Sequence, residues 1–131
     1  MDNGQLKIII NTKMENVIVK KSYAFAIRII RLYQFLSQEK KEYILSKQLL
    51  RCGTAIGAMV KESEHAQSKA DFLNKMNVAL KEANETEYWL MLLKDTDYFT
   101  TKQFESIHPD CSEILKLLAS IVKSTKESLK K

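Results

Sequence analysis

The stretch Lys21–Leu36, KSYAFAIRIIRLYQFL, decides the fold. Phe25, Ile29, Leu32 and Leu36 recur at i, i+4, i+7 and i+11, which is one seam of an α-helix. Tyr23, Ile27, Ile30 and Tyr33, widened by Ala26, lay a second apolar seam beside it. The polar residues Lys21, Arg28, Arg31, Gln34 and Gln38 are confined to a narrow stripe. A helix apolar on most of its circumference must be covered on more than one side. One bundle core does not require that much, so Tyr23, Ile27, Ile30 and Tyr33 mark an expected oligomer interface.

Outward from this helix, expected over 17–36, three more amphipathic segments follow. The next is expected to start near Ser37 as N-cap, with Glu39 and Glu42 in its first turns. Its buried stripe is Leu45, Leu49, Cys52, Ile56, Met59 and Val60. Gly53 and Gly57 sit four apart inside it, with Ala55 and Ala58 nearby. Each glycine costs a soluble helix about 1 kcal/mol relative to alanine, so Gly53, Gly57 and Ala58 point to close approach by another helix. The third helix starts at Ser68, with Asp71 three residues on, and repeats Phe72, Leu73, Met76, Ala79, Leu80, Ala83, Leu90 and Leu93 to about Lys94. The fourth starts with a T-x-x-Q capping box at Thr100 and Gln103. Its 3–4 repeat runs unbroken through Pro109, which favours one kinked helix over two. Four such helices with short connections read as an all-α, antiparallel up-down-up-down four-helix bundle. The bundle is expected over 16–128, with an N-terminal extension over 1–15 and a basic tail at 129–131. In the extension, LKIII is short and apolar enough to form a strand-like arm.

Composition agrees. The chain has 131 residues with three Gly and one Pro, too few breakers for an all-β domain that turns every ~8–12 residues. The hydrophobic content of 45% excludes a disordered chain. Apolar runs such as Tyr23–Ile27 are far short of the ~18 residues that suggest a membrane span, and no secretory signal is seen. Two cysteines make no disulfide framework, which fits a cytoplasmic protein.

The residues offer little for catalysis. Glu62-Ser63-Glu64-His65 and Glu105-Ser106-Ile107-His108 are two nominal E-x-x-H matches, but a di-iron bundle needs two further inward glutamates. Both histidines fall near expected helix ends. Zinc held by Cys52, His65, His108 and Cys111 fits no common spacing, and both cysteines lie on core registers. No G-x-S-x-G, phosphate loop or Ser-His-Asp context is present. Glu82, Glu85 and Glu87 read as a solvated face answering basic residues on a neighbouring helix, and Tyr88-Trp89 as a packing anchor. No catalytic residue, metal or cofactor is expected.

Charge carries more information. The net charge is +5, and residues 1–40 hold seven Lys/Arg against three Asp/Glu, whereas residues 67–99 hold four against six. Lys20, Lys21, Arg28 and Arg31 line the first helix, and Lys40, Lys41, Lys47 and Arg51 continue the excess. A basic stripe is the footprint of phosphate recognition, and an oligomer would multiply it into a ring. The competing reading is that some of these cations pair with acids of the third helix.

The segments KSYAFAIRIIRLYQFL, LSKQLLRCGTAIGAMVKES and SKADFLNKMNVALKEANETEYWLMLLK together resemble the bacterial four-helix-bundle family encoded in intervening sequences of 23S ribosomal RNA genes. That family includes the accessory variability protein of diversity-generating retroelements. The resemblance spans roughly residues 16–127. Arg51, Ile56, Gly57, Ala58, Val60, Glu82, Glu85, Tyr88 and Trp89 fit its pattern; Met59 stands where Asn is usual and Cys52 where Ser is usual. It implies a pentameric, ring-like homo-oligomer and no catalytic residues. It also implies basic surfaces that bind nucleic acid and, in the retroelement member, a reverse transcriptase.

The expectation is therefore a non-enzymatic, oligomeric, cytoplasmic protein that binds nucleic acid, structured RNA before DNA. Lys21, Arg28, Arg31, Lys47 and Arg51 are the expected phosphate contacts. The alternative is a scaffold or accessory partner of a reverse transcriptase or other nucleic-acid enzyme; no membrane is involved in either.

Overall fold

Phe25, Ile29 and Leu36 lie buried along one side of a 36-residue helix, α1 (Asn3–Gln38). Three further helices follow in a computed structural model that describes residues 3–130, with side chains described for Lys13 and 15–130: α2 (Leu45–Ser63), α3 (Lys69–Asp95) and α4 (Thr101–Leu129). Among the described residues there are no strands. Contacts join α1 to α2, α2 to α3, α3 to α4 and α4 back to α1. The result is a four-helix bundle in which α1 and α3 sit diagonally across the core. No helix of the described residues is long and apolar enough to cross a membrane.

One side chain per turn from each helix builds the core. Leu49, Cys52, Ile56 and Val60 come from α2, Met76, Ala79, Ala83, Leu90 and Leu93 from α3, and Ile107, Cys111, Ile114, Leu118 and Ile121 from α4. Leu32, Leu45, Met59, Phe72, Leu73 and Leu80 close its edges half-buried. Gly53 permits the tightest crossing, because a Cβ there would lie 2.8 Å from both Cγ1 and Cγ2 of Ile29. A Cβ on Gly57 would meet the Ser22 carbonyl oxygen at 3.4 Å, ordinary contact distance. Ala58 is exposed, so it does not share this packing role.

Helix boundaries show where local signals succeed and fail. Ser68 accepts from the Asp71 N–H at 3.0 Å, and Thr100 and Gln103 form the complete reciprocal box. α4 runs through Pro109 as one helix. The start of α2 differs from the expectation. Ser37 does not cap it; its Oγ donates to the Tyr33 carbonyl inside α1 at 2.8 Å, the back-bonding that serine makes within a helix. α2 begins eight residues later, and Glu42 takes over the cap. Its carboxylate accepts from the backbone N–H groups of Ile44, Leu45 and Ser46 at 3.1, 2.9 and 2.6 Å. Those are orphan donors of the first turn. Burial works to raise the Glu42 pKa, but these backbone donors and Ser46 Oγ outweigh it and hold the carboxyl below its usual range.

The first helix is longer than the expected 17–36. The helical backbone of α1 begins at Asn3, so LKIII is helix and not a strand-like arm. Residues 1, 2 and 131 lie outside the described residues.

Candidate interaction surface

The second seam of α1 faces solvent. Tyr23 is 70% exposed, Ile27 44% and Ile30 40%, and Tyr33 is half-buried at the edge of the same face. Lys13, Lys20 and Arg31 are exposed on this helix too. Two apolar grooves flank the face. On the α2 side, Val19, Tyr23, Ala26, Gly57 and Ala58 line a depression of about 490 Å³. The missing side chain at Gly57 and the short one at Ala58 leave this space open. On the α4 side, Ile27, Leu32, Phe35 and Ile107 line one of about 400 Å³, with Arg28 and Arg31 at its rim.

The five expected phosphate contacts fall into two groups. Three are held by carboxylates of neighbouring helices. Lys21 pairs with Glu113 on α4. Arg28 reaches Asp110 at 2.6 Å and also donates to the backbone carbonyl and hydroxyl of Ser106. Arg51 forks between Glu82 at 3.2 Å and Glu85 at 2.6 Å on α3. Arg31 donates only a long 3.5 Å bond to Gln34, and among the described residues no carboxylate lies in ion-pair reach of Arg31, Lys47 or Lys20. Lys21 and Arg28 reach acids of α4 whereas Arg51 reaches acids of α3, so the three paired cations do not share one edge of the bundle.

Arg51 is the hub of a network that sequence reasoning resolved only in part. Glu85 also accepts from the Trp89 indole N–H at 3.2 Å. The Arg51 guanidinium, through its hydrogen bond, lowers the Glu85 pKa. Trp89 packs half-buried against the core and meets Tyr88 edge-on at 5.3 Å, while Tyr88, expected to share that packing, is exposed. Glu82, Glu85 and Arg51 thus join α2 to α3.

His108 and both cysteines are engaged in packing. His108 lies 3.0 Å from Glu87 and stacks on Phe104 at 4.7 Å, while His65 is exposed. Among the described residues no three His, Cys, Asp or Glu side chains are grouped to hold an ion. Both cysteines are free and buried. Burial pushes the Cys111 thiol up to about 12, aided by Glu87, Cys52 and Asp110, and burial raises Cys52 as well.

Residues 14–120 match the family described as 23S rRNA-intervening sequence protein. Among solved structures, the chain is similar to a protein of unknown function from the S23 ribosomal protein family of Bacteroides thetaiotaomicron. The two share 60% identity and a TM-score of 0.82, over 84% of this chain and 98% of that one. No curated protein matches the chain.

Proposed function

The chain belongs to the 23S rRNA-intervening sequence protein family, and we propose that it is a non-enzymatic homo-oligomer that binds nucleic acid, structured RNA first, through a basic surface. The observation that carries this reading is the outer face of α1. It sets Tyr23, Ile27 and Ile30 in solvent beside Lys20 and Arg31, two cations that have no carboxylate in ion-pair reach among the described residues. Covering a half-exposed Ile or Tyr contributes about 1–2 kcal/mol, so a second subunit on this face gains stability while bringing its cations near those of the first. Repeated around a ring of subunits, a modest basic stripe becomes a continuous phosphate-binding surface. The family resemblance supports five subunits.

The bundle topology that goes with this reading is antiparallel, up-down-up-down. Ser22 and Ile29 of α1 meet Gly57 and Gly53 of α2 in reverse order. Arg51 and Glu62 of α2 meet Glu85 and Lys75 of α3 in reverse order, and Glu87 and Lys94 of α3 lie by His108 and Phe104 of α4. Arg31 and Lys47, with Lys20, carry the phosphate contacts; Lys21, Arg28 and Arg51 contribute less because carboxylates offset their charge. The non-enzymatic reading is supported by buried thiols held protonated and a His108 engaged with Glu87. Free buried cysteines fit a cytoplasmic setting.

One observation favours the second reading, a scaffold for a protein partner such as a reverse transcriptase: apolar grooves lie on both flanks of α1. A reverse transcriptase gene and template repeat beside this gene would support it. Light scattering tests the assembly, with a salt series of RNA titrations on the same protein. Binding that weakens steeply with salt supports the first reading. A monomer that binds no RNA at low salt contradicts it.

A further inference from the structure

The turn between α1 and α2 holds two bulky side chains in solvent. Tyr43 is 51% exposed and Ile44 76%, and neither belongs to the core cluster. The backbone fixes them there. Lys41 adopts the left-handed region at φ 55°, and Glu42 turns inward to cap α2 through three backbone N–H groups. The acid beside the aromatic ring is thereby engaged by the helix start. Lys40, Lys41 and Lys47 remain exposed, and among the described residues no carboxylate lies in ion-pair reach of them. Lys40 Nζ instead lies 5.9 Å from the Phe35 ring centroid. Glu39 is the one exposed acid of the turn.

We infer that this turn is a contact site for single-stranded RNA, in which Tyr43 stacks on an unpaired base while Lys40, Lys41 and Lys47 take the flanking phosphates. The inference rests on the proposed nucleic-acid function and narrows it to unpaired segments. The ring is bracketed by cations on both sides in the chain, as an unpaired base is bracketed by phosphates along its strand. Base–aromatic stacking tolerates any sequence because every base has a π-face. A paired A-form helix buries those faces and is met at its backbone and 2′-hydroxyls, so the ring discriminates for single strands. A membrane surface is the weaker fit, because interfacial anchoring uses an apolar face along a whole helix, and here the apolar tip is two residues.

The test is fluorescence anisotropy of the full chain with a labelled 15-mer of polyuridine and a labelled RNA duplex, at several salt concentrations. Tyr43→Ala is expected to weaken polyuridine binding by about 5- to 100-fold and duplex binding by less than about two-fold. Tyr43→Phe, which keeps the ring, retains polyuridine affinity. Lys40→Glu with Lys41→Glu weakens both RNAs and flattens the salt dependence. Circular dichroism checks that each variant is folded. If Tyr43→Ala and the lysine pair both leave polyuridine binding unchanged, RNA is bound elsewhere, and this inference fails while the proposed function stands. If only the lysine pair matters, the stacking role fails. If the wild type binds neither RNA, both proposals fail, and Tyr43-dependent binding to phosphatidylserine vesicles in that case would assign the turn to a membrane surface.

Discussion

Arg51 Nη2 lies 2.6 Å from Glu85 Oε1, joining α2 to α3. The contact gives a residue of the family pattern a packing role, and it limits how much of its charge a phosphate can use. Arg51→Ala is therefore expected to cost about 0.5–1 kcal/mol of stability, the scale of a solvent-accessible ion pair. It should weaken RNA binding less than Arg31→Ala does. Urea unfolding and anisotropy titration on both variants check the two halves of this statement.

Glu42 and Glu85 both contribute to the acid limb of stability. Its pKa is lowered in the folded state, as is that of Glu85, against about 4.3 for a free glutamate. The stabilisation from a depressed carboxylate is full above the unfolded value and is lost as pH falls through the folded one. Glu42→Gln removes the charge from three backbone hydrogen bonds at a buried site and is expected to cost about 1.5–3 kcal/mol at pH 7. Thermal unfolding between pH 7 and pH 3 should show the variant losing less on acidification than the wild type.

The two glycines of α2 respond oppositely to alanine. At Gly53 the new Cβ meets Ile29 at 2.8 Å, and overpacking of about 1–3 kcal/mol outweighs the helix-propensity gain of about 1 kcal/mol. At Gly57 the nearest atom is 3.4 Å away, so that gain is largely kept. Gly53→Ala is expected to lower the urea midpoint and Gly57→Ala to hold or raise it.

Neither thiol should react while the bundle is folded. With its pKa pushed up to about 12, Cys111 at pH 8 carries about three orders of magnitude less thiolate than a free cysteine of pKa about 8.5. Cys52 is likewise buried and raised. A maleimide or aromatic disulfide probe is expected to label no cysteine in native buffer and both in 6–8 M urea.

Much of the bundle was legible because periodicity is local. Phe25, Ile29 and Leu36 could be placed in the core from their spacing, and the Thr100–Gln103 box from four residues. The start of α2 was not legible, because Ser37 offers the same hydroxyl whether it caps a helix or bonds back within one, and the cap came from a glutamate ahead of the helix. Exposure of Tyr23, Ile27 and Ile30 follows from a helix with more apolar surface than one core can cover. The fate of the cations is long-range: Arg51 and Glu85 are 34 positions apart, and Arg28 and Asp110 are 82. Charge along the chain pointed to acids of α3 answering cations of a neighbouring helix, but it did not say which residues pair. Lys40, Lys41 and Lys47 were visible as charge, but their bracketing of an exposed Tyr43 depended on Glu42 turning inward.

The central claim joins assembly to RNA binding, and one titration tests both. A labelled structured RNA is titrated at fixed salt with the wild type and with Ile27→Ser/Ile30→Ser, which removes the apolar face without altering charge. Light scattering on the same samples reports whether each protein exceeds the 15.2 kDa of one chain. The account predicts an oligomeric wild type that binds and a folded monomeric variant that binds at least about ten-fold more weakly, since linked sites gain about 10²–10⁴ in avidity. A monomeric wild type, or a monomeric variant that binds RNA as tightly as the wild type, would contradict it.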